Sequence, residues 1–409
     1  MKICLITHAY PIFKGDWRAN FIESLARSYA GLGHSVTVLV SYAAGWQRTC
    51  HDVPGISVVT YRYAPFERLH TVGYGKSLNN DLHMNPWHGI LAFLLVLCGI
   101  LRFADLLRKE KYDLVQAHWA LPNTLIALGG RLLAATPATV FTSFPGSDVT
   151  IITKLGRLGK FLASLIGKSD YLSCNSRDLK EDLVKAGIRP ERIDLVIYGV
   201  DDRVIHFDME GRLAVREKLG IADEDILLLM VGRFVPKKGF STAFRALKYI
   251  TARHPSVKLA VIGKGVLMEE YLGILRRDGT QAHAYFLGEV EPRELSRYYS
   301  ACDIFLMPSE RFPSDGLNVV VPEAMACGRP VVASDAGGND LVVSHGVNGY
   351  LHAAGDPADL AERVISLIND PAQRDKMGNR SVELVASRFN WLSIAKHYID
   401  SYRELSSAK

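Results

Sequence analysis

The sequence predicts an α/β protein with two doubly wound domains in tandem. Three observations predict this fold class. The chain has 409 residues, which is more than one hydrophobic core usually organises. Short apolar runs rich in β-branched residues alternate with longer segments of helical spacing, and the alternation is interrupted once near the middle of the chain. Such alternation is typical of a parallel sheet covered by helices on both faces.

The first domain is predicted to span residues 1–197. Its first apolar run is too short for a signal peptide and lacks a small-residue cleavage site, so we interpret it as a buried strand. The strands of this domain are predicted at residues 3–7, 36–40, 56–61, 114–117, 139–142, 171–174 and 193–197.

The second domain is predicted to span residues 224–390, after a linker region at 198–223. The polar turn at 198–202 marks the linker because it breaks the alternation of strands and helices. The last helix, 391–409, is expected to pack back on the first domain. The strands of the second domain are predicted at 226–231, 257–262, 284–287, 304–307, 331–333 and 349–351.

The composition excludes several classes of protein. With 48% hydrophobic and 22% charged residues, the chain is neither disordered nor collagen-like. Its longest apolar run, 89–101, would span only about 20 Å as a helix, so we expect that it cannot cross the ~30 Å hydrocarbon core of a bilayer alone. Six widely separated cysteines, with no Cys-x-x-Cys pair, favour buried thiols in a reducing compartment and give no sign of a metal site.

The net charge of +5 is unevenly distributed. Residues 1–200 hold 22 Lys and Arg against 15 Asp and Glu, which gives +7 and leaves −2 for residues 201–409. This asymmetry indicates an anionic partner or surface for the first domain, or else a scatter of solvated lysines.

The loop after the strand at 226–231 has the composition of a diphosphate site. In open parallel sheets, ligands bind beyond the carboxyl ends of the strands. Here the strand runs into Gly232 and Arg233, and Lys238 and Gly239 follow five residues later. A glycine turn, cations and a helix amino terminus suit a diphosphate because fixed charge and backbone N–H donors act together. The alternative is a solvated basic loop.

Two carboxylates follow the strand at 304–307. Asp315 precedes a glycine, and Glu323 lies eight residues later within a helix. The first is suited to a sugar and the second to the diol of a ribose, while the helix amino terminus near Asn318 and Val319 is a further anion site. The alternative is an acidic residue at a helix amino terminus plus a solvated glutamate, although an unpaired charge on this small apolar helix would be costly.

Other segments are open to more than one interpretation. His118 ends the strand at 114–117 and either contacts a bound sugar or is a hydrogen-bonded core histidine. The turn at 142–148, taken alone, is best interpreted as a helix N-cap. Residues 263–265 lack the third glycine of a dinucleotide fingerprint, and the acidic residues 223–225 precede a strand, so neither segment indicates NAD or a metal.

Six segments occur along the chain in a specific order and spacing. They are GHSVTVLV (33–40), DLVQAHWALP (113–122), YGVD (198–201), VGRFVPKKG (231–239), GEVEPRELSRYYSACDIFLMPS (288–309), and Asp315 to Glu323 with PEAMACGRPVVASDAGG (322–338). In this set the chain resembles the retaining nucleotide-sugar glycosyltransferases of glycosyltransferase family 4, also called glycosyl transferases group 1. The resemblance spans nearly the whole length and implies the GT-B fold, in which two Rossmann-like domains face each other across a cleft.

The resemblance implies a catalytic set of four residues. Arg233 and Lys238 would hold the donor diphosphate and stabilise the charge on the departing nucleotide. Asp315 would meet the hydroxyls of the transferred sugar near its reacting carbon. His118 would contact the donor sugar.

The resemblance also implies the rest of the donor site. Glu323 would bind the nucleotide ribose, and Val290 would lie near the base. The remaining members of the expected binding set are Gly15, Gly316, Leu317, Asn318 and Val319.

The implied reaction transfers a sugar from a UDP- or GDP-linked donor to an acceptor hydroxyl with retention of configuration, and it requires no metal or other cofactor. Four positions depart from the family pattern. Asp315 replaces the usual Glu, Gly15 stands where two glycines are usual, Pro145 replaces a His, and Leu341 stands where an acid is usual, with Asp340 one place early. These departures leave two alternatives open, a nucleotide-sugar epimerase or hydrolase and a non-catalytic nucleotide-sugar-binding protein.

The resemblance places the acceptor on the amino-terminal domain, which here is the +7 half. This half contains the apolar run 89–101 and a basic-apolar stretch at 154–162. Both favour a peripheral contact with anionic lipid, although the first run also fits an ordinary buried helix. We therefore expect a lipid-linked glycan, a polysaccharide precursor or another membrane-borne or anionic acceptor, no nucleic-acid partner, and a cytoplasmic protein at the inner face of the cytoplasmic membrane.

Overall fold

The chain forms two compact α/β units in the computed structural model. The structure describes residues 1–13, 16, 19–46, 53–72, 86–311 and 316–407. Each unit has its own parallel sheet, which confirms the predicted fold class. Unit 1 contains Met1–Asn175, Leu179–Val196 and Ile394–Lys409, and unit 2 contains Ser176–Asp178 and Ile197–Ser393.

The sheet of unit 1 has seven parallel strands. They are β1 (Lys2–Thr7), β2 (Ser35–Ser41), β3 (Ile56–Tyr61), β4 (Leu114–His118), β5 (Thr139–Phe144), β6 (Tyr171–Cys174) and β7 (Ile193–Leu195). Their order in the sheet is β3-β2-β1-β4-β5-β6-β7. The predicted runs match these strands to within two residues at each end, because strands covered on both faces are almost continuously apolar.

The helices of unit 1 cover both faces of this sheet. They are α1 (Asn20–Gly31), α2 (Pro86–Lys109), α3 (Ala120–Ala134), α4 (Ser147–Lys154), α5 (Gly156–Ile166) and α6 (Arg177–Lys185). The path from β1 to β3 runs in one direction across the sheet, and the path from β3 to β6 runs in the other. Right-handed crossovers therefore place α2, α3, α4 and α5 on the face opposite to α1. Helices α2 and α3 pack so closely that a Cβ on Gly99 would lie 2.6 Å from Ile126 Cδ1.

Helix α2 is longer than the apolar run from which it was predicted. It has 24 residues and is about 36 Å long. Within the described ranges, it is the one helix that is long and apolar enough to cross a membrane by length and composition. The expectation that this run is too short to do so is therefore wrong. One side of α2 is nonetheless buried, because Leu95 and Phe103 pack in a core with Val115 and Val140 of the sheet.

The sheet of unit 2 has six parallel strands. They are β8 (Leu227–Val231), β9 (Lys258–Ile262), β10 (Ala284–Gly288), β11 (Ile304–Met307), β12 (Val331–Ser334) and β13 (Gly349–His352), in the order β10-β9-β8-β11-β12-β13. The helices are α7 (Met209–Leu219), α8 (Phe240–Arg253), α9 (Met268–Arg277), α10 (Leu295–Ala301), α11 (Val320–Ala326), α12 (Pro357–Asn369) and α13 (Pro371–Arg388).

The last helix, α14 (Trp391–Ser407), begins in unit 2 and belongs to unit 1 from Ile394 onwards. In unit 1 its Tyr398 hydroxyl lies 3.1 Å from Ser173 Oγ of β6. The Tyr398 ring also lies 6.4 Å from the ring of Phe141 in β5. Both contacts are on the face of the sheet opposite to α2, because neighbouring strand residues point to opposite faces.

Residues 198–223, which were expected to link the domains, are part of unit 2. Helix α7 starts after Asp208, whose carboxylate accepts the N–H of Gly211 at 2.8 Å. The Arg216 side chain is only 2% exposed, and its Nη1 donates to Asp303 Oδ2 at 3.0 Å. Its Nη2 donates to the backbone carbonyl of Asp225 at 2.8 Å. This buried ion pair fixes the segment to the sheet, which is the physical reason that it does not behave as a separate linker.

Replacing Arg216 by methionine is expected to lower the free energy of unfolding by about 3 kcal/mol. Asp303 loses its buried cation, although Arg212 still pairs with it, and the carbonyls of Ala301 and Asp225 lose their buried donor. Thermal unfolding followed by circular dichroism measures the effect. The matched control is Arg203→Met, which removes a guanidinium that is 59% exposed in its pair with Asp201 and should cost less than about 1 kcal/mol. Equal effects of the two substitutions would show that the Arg216 pair does not stabilise the fold.

Candidate functional site

The loop after β8 packs against the end of β11 in unit 2. It forms one 3-10 turn, Pro236–Lys238, before α8 begins. Gly239 has a φ of 63°, and a Cβ there would lie 1.8 Å from the carbonyl oxygen of Pro308, so only glycine fits. The loop is therefore fixed with Arg233 exposed and Lys238 partly buried.

Lys238 and Asn318 are joined by a hydrogen bond, although they are distant in sequence. The ammonium of Lys238 donates to Oδ1 of Asn318, and Nδ2 of Asn318 donates to Ser309 Oγ at 2.9 Å. Asn318 is only 2% exposed, so both bonds fix the orientation of its amide. Two segments that were predicted to bind the donor are thus brought together, with the Lys238 ammonium beside Asn318, two residues before α11.

The residues before α11 differ in exposure. Gly316, Leu317 and Asn318 are buried, whereas Val319 is exposed. The buried residues can offer a ligand little beyond their backbone, and Asn318 directs its side chain to Lys238. We conclude that this segment shapes the site mainly through its backbone and through the amide of Asn318.

A second buried asparagine, Asn339, lies next to Asn318 and accepts a 3.4 Å hydrogen bond from its Nδ2. Asn339 is fully buried, and its Nδ2 donates to the carbonyl of Met307 at 3.3 Å and to that of Ser334 at 3.2 Å. It therefore ties together the ends of β11 and β12, next to Asn318. The sequence analysis assigned no role to Asn339 or Ser309. The available signal was that Ser309 is the last residue of the family-like segment 288–309.

Glu323 lies in α11 and is paired with Tyr299 of α10. The Tyr299 hydroxyl donates to Glu323 Oε2 at 2.7 Å, and Tyr299 is fully buried. Burial raises the pKa of Glu323 from 4.5 to about 7, and the hydrogen bond from Tyr299 opposes this rise. The carboxylate is thus largely desolvated and has one fixed donor, so it can accept further hydroxyl donors from a ligand. Tyr299 was missed by sequence reasoning, since its partner is 24 residues away.

Val290 lies in the loop after β10, beside the loops that follow β8 and β9. The Gly263 N–H donates to the carbonyl of Gly288 at 2.7 Å, and Lys264 pairs with Glu289 at 2.5 Å. A Cβ on Gly265 would lie 2.5 Å from the carbonyl oxygen of Phe234. The glycines at 263 and 265 therefore allow close packing of these loops. This packing accounts for the two glycines, so no dinucleotide-binding role is needed to explain them.

His118 ends β4 in unit 1 and has an unusual environment. It is only 1% exposed, and neither ring nitrogen has a hydrogen-bond partner within the described residues. Burial lowers its pKa to about 3, so the imidazole is neutral at pH 7. Its backbone carbonyl accepts a 2.6 Å bond from Asn123, and Phe21 packs edge-on against its ring. Among the described residues, His118 therefore lacks the hydrogen bonds expected of a core histidine, the alternative raised from the sequence.

The turn at 142–148 has a structural role in unit 1. Asp148 is buried, and its carboxylate accepts the N–H groups of Ala120 at 2.7 Å, Gly146 at 3.2 Å and Val149 at 3.1 Å. Burial raises its pKa to about 6, against the effect of these three bonds. Asp148 thus holds the start of α4 against Ala120, the first residue of α3, which lies two residues after His118. The N-cap residue of α4 is Gly146, and no side chain caps the helix. The turn therefore does not supply the expected N-cap side chain, and Asp148 instead links the first turn of α4 to the start of α3.

Two of the predicted site residues, Gly15 and Asp315, lie outside the described residues. Across the ranges that the structure does describe, no group of three or more His, Cys, Asp or Glu is arranged to hold a metal ion.

Two family models match the chain. "Glycosyl transferases group 1" matches residues 212–383, and "Glycosyltransferase Family 4" matches residues 19–204. A D-inositol 3-phosphate glycosyltransferase of Catenulispora acidiphila is 30% identical, and the alignment covers 93% of this chain and 88% of that protein.

Solved structures share the fold. One of them is HepE of Anabaena, which has been solved with UDP and with UDP-glucose. Its UDP complex matches with a TM-score of 0.72 and 20% identity, and the alignment covers 99% of this chain and 100% of that one. Sucrose-phosphate synthase of Thermosynechococcus elongatus matches with a TM-score of 0.73 and 20% identity, and both chains are fully covered. The chain therefore belongs to glycosyltransferase family 4 and has the GT-B fold of these glycosyltransferases.

Proposed function

We propose that the chain transfers a sugar from a UDP- or GDP-linked donor to an acceptor hydroxyl, with retention of configuration at the anomeric carbon and without a metal ion. The observation that carries this proposal is the Lys238–Asn318 hydrogen bond beside the helix that carries Glu323. The bond fixes the Lys238 cation next to the segment that leads into α11, and α11 carries the desolvated carboxylate of Glu323. The UDP and UDP-glucose complexes of HepE support a uridine nucleotide as the first candidate.

The proposed roles of the residues in unit 2 follow from the negative charge that develops on the leaving diphosphate. When the bond from the anomeric carbon to the phosphate oxygen breaks, its electron pair goes to the diphosphate. Lys238, together with Arg233, stabilises the charge that develops there, and preorganised cations are effective in this role because they need not reorient. The leaving phosphate accepts the proton of the acceptor hydroxyl, which attacks on the same face. Glu323 accepts hydrogen bonds from the ribose diol, Val290 lies near the base, and Asp315 contacts the hydroxyls of the transferred sugar.

His118 is proposed to contact the transferred sugar as a neutral imidazole. A pKa of about 3 makes the protonated ring rare at pH 7, so His118 is unsuited to deliver a proton as a general acid. A neutral ring still has one N–H donor and one nitrogen acceptor, and neither nitrogen has a hydrogen-bond partner among the residues that the structure describes. Hydrogen bonds to a sugar hydroxyl would satisfy them.

The acceptor is proposed to be anionic or membrane-borne, such as a lipid-linked glycan or a polysaccharide precursor, and the protein to act in the cytoplasm at the inner face of the cytoplasmic membrane. The excess of positive charge in residues 1–200 supports this proposal. The relative from Catenulispora is named for D-inositol 3-phosphate, which is itself anionic.

A panel of nucleotides tested by thermal shift, followed by product mass analysis, tests the proposed function. UDP or GDP at about 100 times its Kd should stabilise the protein by about 2.7 kcal/mol, which corresponds to a rise in Tm of about 5 °C. The matching nucleotide sugar, offered with candidate acceptors, should then give a glycosylated product with the anomeric configuration of the donor.

The controls are adenosine monophosphate and inorganic diphosphate, which lack the preferred base or the nucleoside. The donor-site assignment is wrong if no nucleoside diphosphate raises the Tm at millimolar concentration. If only free sugar or an epimerised nucleotide sugar forms with every acceptor, transfer is not the activity.

A further inference from the structure

An exposed apolar stripe runs along α2, on the side opposite to its buried face. Ile90, Phe93, Leu97 and Leu101 are all exposed, and Phe93 is 65% exposed. Their spacing of three and four residues places them on one side of the helix, over a length of about 16 Å. Arg108 continues the same stripe by two further turns and is also exposed. Large apolar side chains arranged in this way mark an interaction surface more often than chance exposure does.

A second exposed stripe on α5 combines apolar and basic residues. Leu158 and Phe161 are exposed, the latter by 60%, while Gly159, Ala163 and Ile166 form the buried side of the helix. Three cations adjoin this stripe: Lys154, Arg157 and Lys160 are exposed and form no ion pair with a carboxylate within the described residues.

The two stripes lie on the same face of unit 1. Helices α2, α3 and α5 cover one face of the sheet, as the strand order and right-handed crossovers require. Helix α3 contacts both α2 and α5, so the two helices flank it. The residues exposed on α2 and α5 therefore point away from the same sheet face. We call this surface the α2–α5 face, comprising Ile90, Phe93, Leu97, Leu101, Arg108, Lys154, Arg157, Leu158, Lys160 and Phe161.

We propose that the α2–α5 face docks on the surface of an anionic bilayer, with α2 lying in the plane of the interface. The apolar side chains enter the boundary between headgroups and acyl chains, and the cations of α5 meet lipid phosphates. This combination favours a lipid surface because apolar side chains alternate on it with cations that form no ion pair in the part of the chain that the structure describes. Docking of the α2–α5 face rests on the proposed function in one respect: a membrane-borne acceptor would require the protein to reach the bilayer.

The buried side of α2 decides between lying on a membrane and crossing it. Leu95, Phe103, Leu106 and Leu107 pack in the core of unit 1, so a spanning α2 would have to leave that core. Its last two turns also carry Arg102 and Lys109, both paired with Asp105. The protein should therefore be released from vesicles by high salt, as a peripheral protein is.

Flotation of the full-length chain with phosphatidylcholine vesicles, with and without phosphatidylglycerol, tests the proposal. The wild type should float only when phosphatidylglycerol is present. The double variant Phe93→Gln/Leu97→Gln should bind vesicles at least tenfold more weakly, because two large apolar side chains no longer enter the interface. The double variant Arg157→Gln/Lys160→Gln should also bind about tenfold more weakly, and its residual binding should depend less on salt.

The matched controls carry the same kinds of change in unit 2. Leu213→Gln alters an exposed leucine of α7, and Arg276→Gln/Arg277→Gln alters exposed cations of α9. These controls should float like the wild type. The thermal shift caused by the nucleotide should be unchanged in every variant, so that failure of docking and failure of the donor site are seen separately.

Four outcomes would overturn the proposal. The first is no flotation of the wild type with anionic vesicles, and the second is equal loss of binding in the α2–α5 variants and in the unit 2 controls. The third is a dimer of the free protein, seen by light scattering, that is disrupted only by the Phe93→Gln/Leu97→Gln substitutions. A second copy of the chain would then occupy the α2–α5 face. Binding that resists high salt would overturn the interfacial position of α2.

Discussion

Replacing Lys238 by alanine is expected to lower kcat for sugar transfer by a factor of about 100 to 1,000. The Lys238 ammonium is held by the buried amide of Asn318, which is itself fixed by Ser309. A cation held in this way stabilises the charge of the departing diphosphate without reorganising, and loss of one such preorganised group typically costs two to three orders of magnitude in rate. Steady-state kinetics with the donor identified by thermal shift measures the effect.

The control for this substitution is Lys248→Ala, which removes an exposed cation of α8. It should change neither kcat nor Tm. In Lys238→Ala, the Tm without nucleotide should stay within a few degrees of the wild type, because the side chain is only partly buried. An unchanged kcat in a folded Lys238→Ala variant would contradict the assignment of the diphosphate site.

The fold could be predicted from the sequence because its signals are local. Each strand of a parallel sheet covered on both faces is a short apolar run, as at 304–307, and that pattern needs no information about distant residues. The extent of α2 was harder to predict. Its last two turns contain charged residues, such as Arg102 and Asp105, that end the apolar run but continue the helix. The end of an apolar run therefore does not mark the end of a helix.

The site could be predicted only where one segment carries its own signal. The Gly-Arg and Lys-Gly pairs of the loop after β8 predicted Arg233 and Lys238. The small apolar helix around Glu323 predicted a carboxylate for a ribose diol, and the resemblance to the family implied the same role. The contacts that orient these groups link segments that are far apart in sequence, such as Lys238 with Asn318 or Tyr299 with Glu323. A buried amide or phenol gives no local pattern that distinguishes it from other core residues, so these partners required the structure.

Nucleotide affinity is expected to decrease as the pH falls below about 7, and the residue responsible is Glu323. Its pKa in the free protein is raised to about 7 by burial. The ionised carboxylate accepts hydrogen bonds from both ribose hydroxyls, whereas the protonated form loses part of this capacity. Binding should therefore release a proton, and Kd should rise about tenfold per pH unit below 7. Isothermal titration calorimetry between pH 5.5 and pH 8.5 in buffers of different ionisation enthalpy measures both quantities.

Two variants assign this pH dependence to the Glu323–Tyr299 pair. Glu323→Gln should weaken nucleotide binding at pH 8 by roughly 10-fold to 100-fold, because hydrogen bonds to a charged acceptor are worth about 1.5–3 kcal/mol, and should remove the pH dependence. Tyr299→Phe removes the donor that lowers the pKa of Glu323, so the midpoint of the profile should move to higher pH. The control Glu269→Gln alters an exposed carboxylate of α9 and should leave the profile unchanged. A pH-independent Kd in the wild type would contradict the ribose assignment.

The same carboxylate should affect stability in the opposite sense. The pKa of Glu323 is raised on folding from 4.5 to about 7, so between these pH values the native state binds more protons than the unfolded state. The free energy of unfolding contributed by this group therefore falls as the pH rises through this window, by at most about 3 kcal/mol. Glu323→Gln removes this cost while keeping an acceptor for Tyr299, so at pH 8 it should raise the Tm of the free protein while weakening nucleotide binding. A variant that loses affinity through misfolding would lower the Tm, so thermal unfolding at pH 5 and pH 8 distinguishes a binding carboxylate from a structural one.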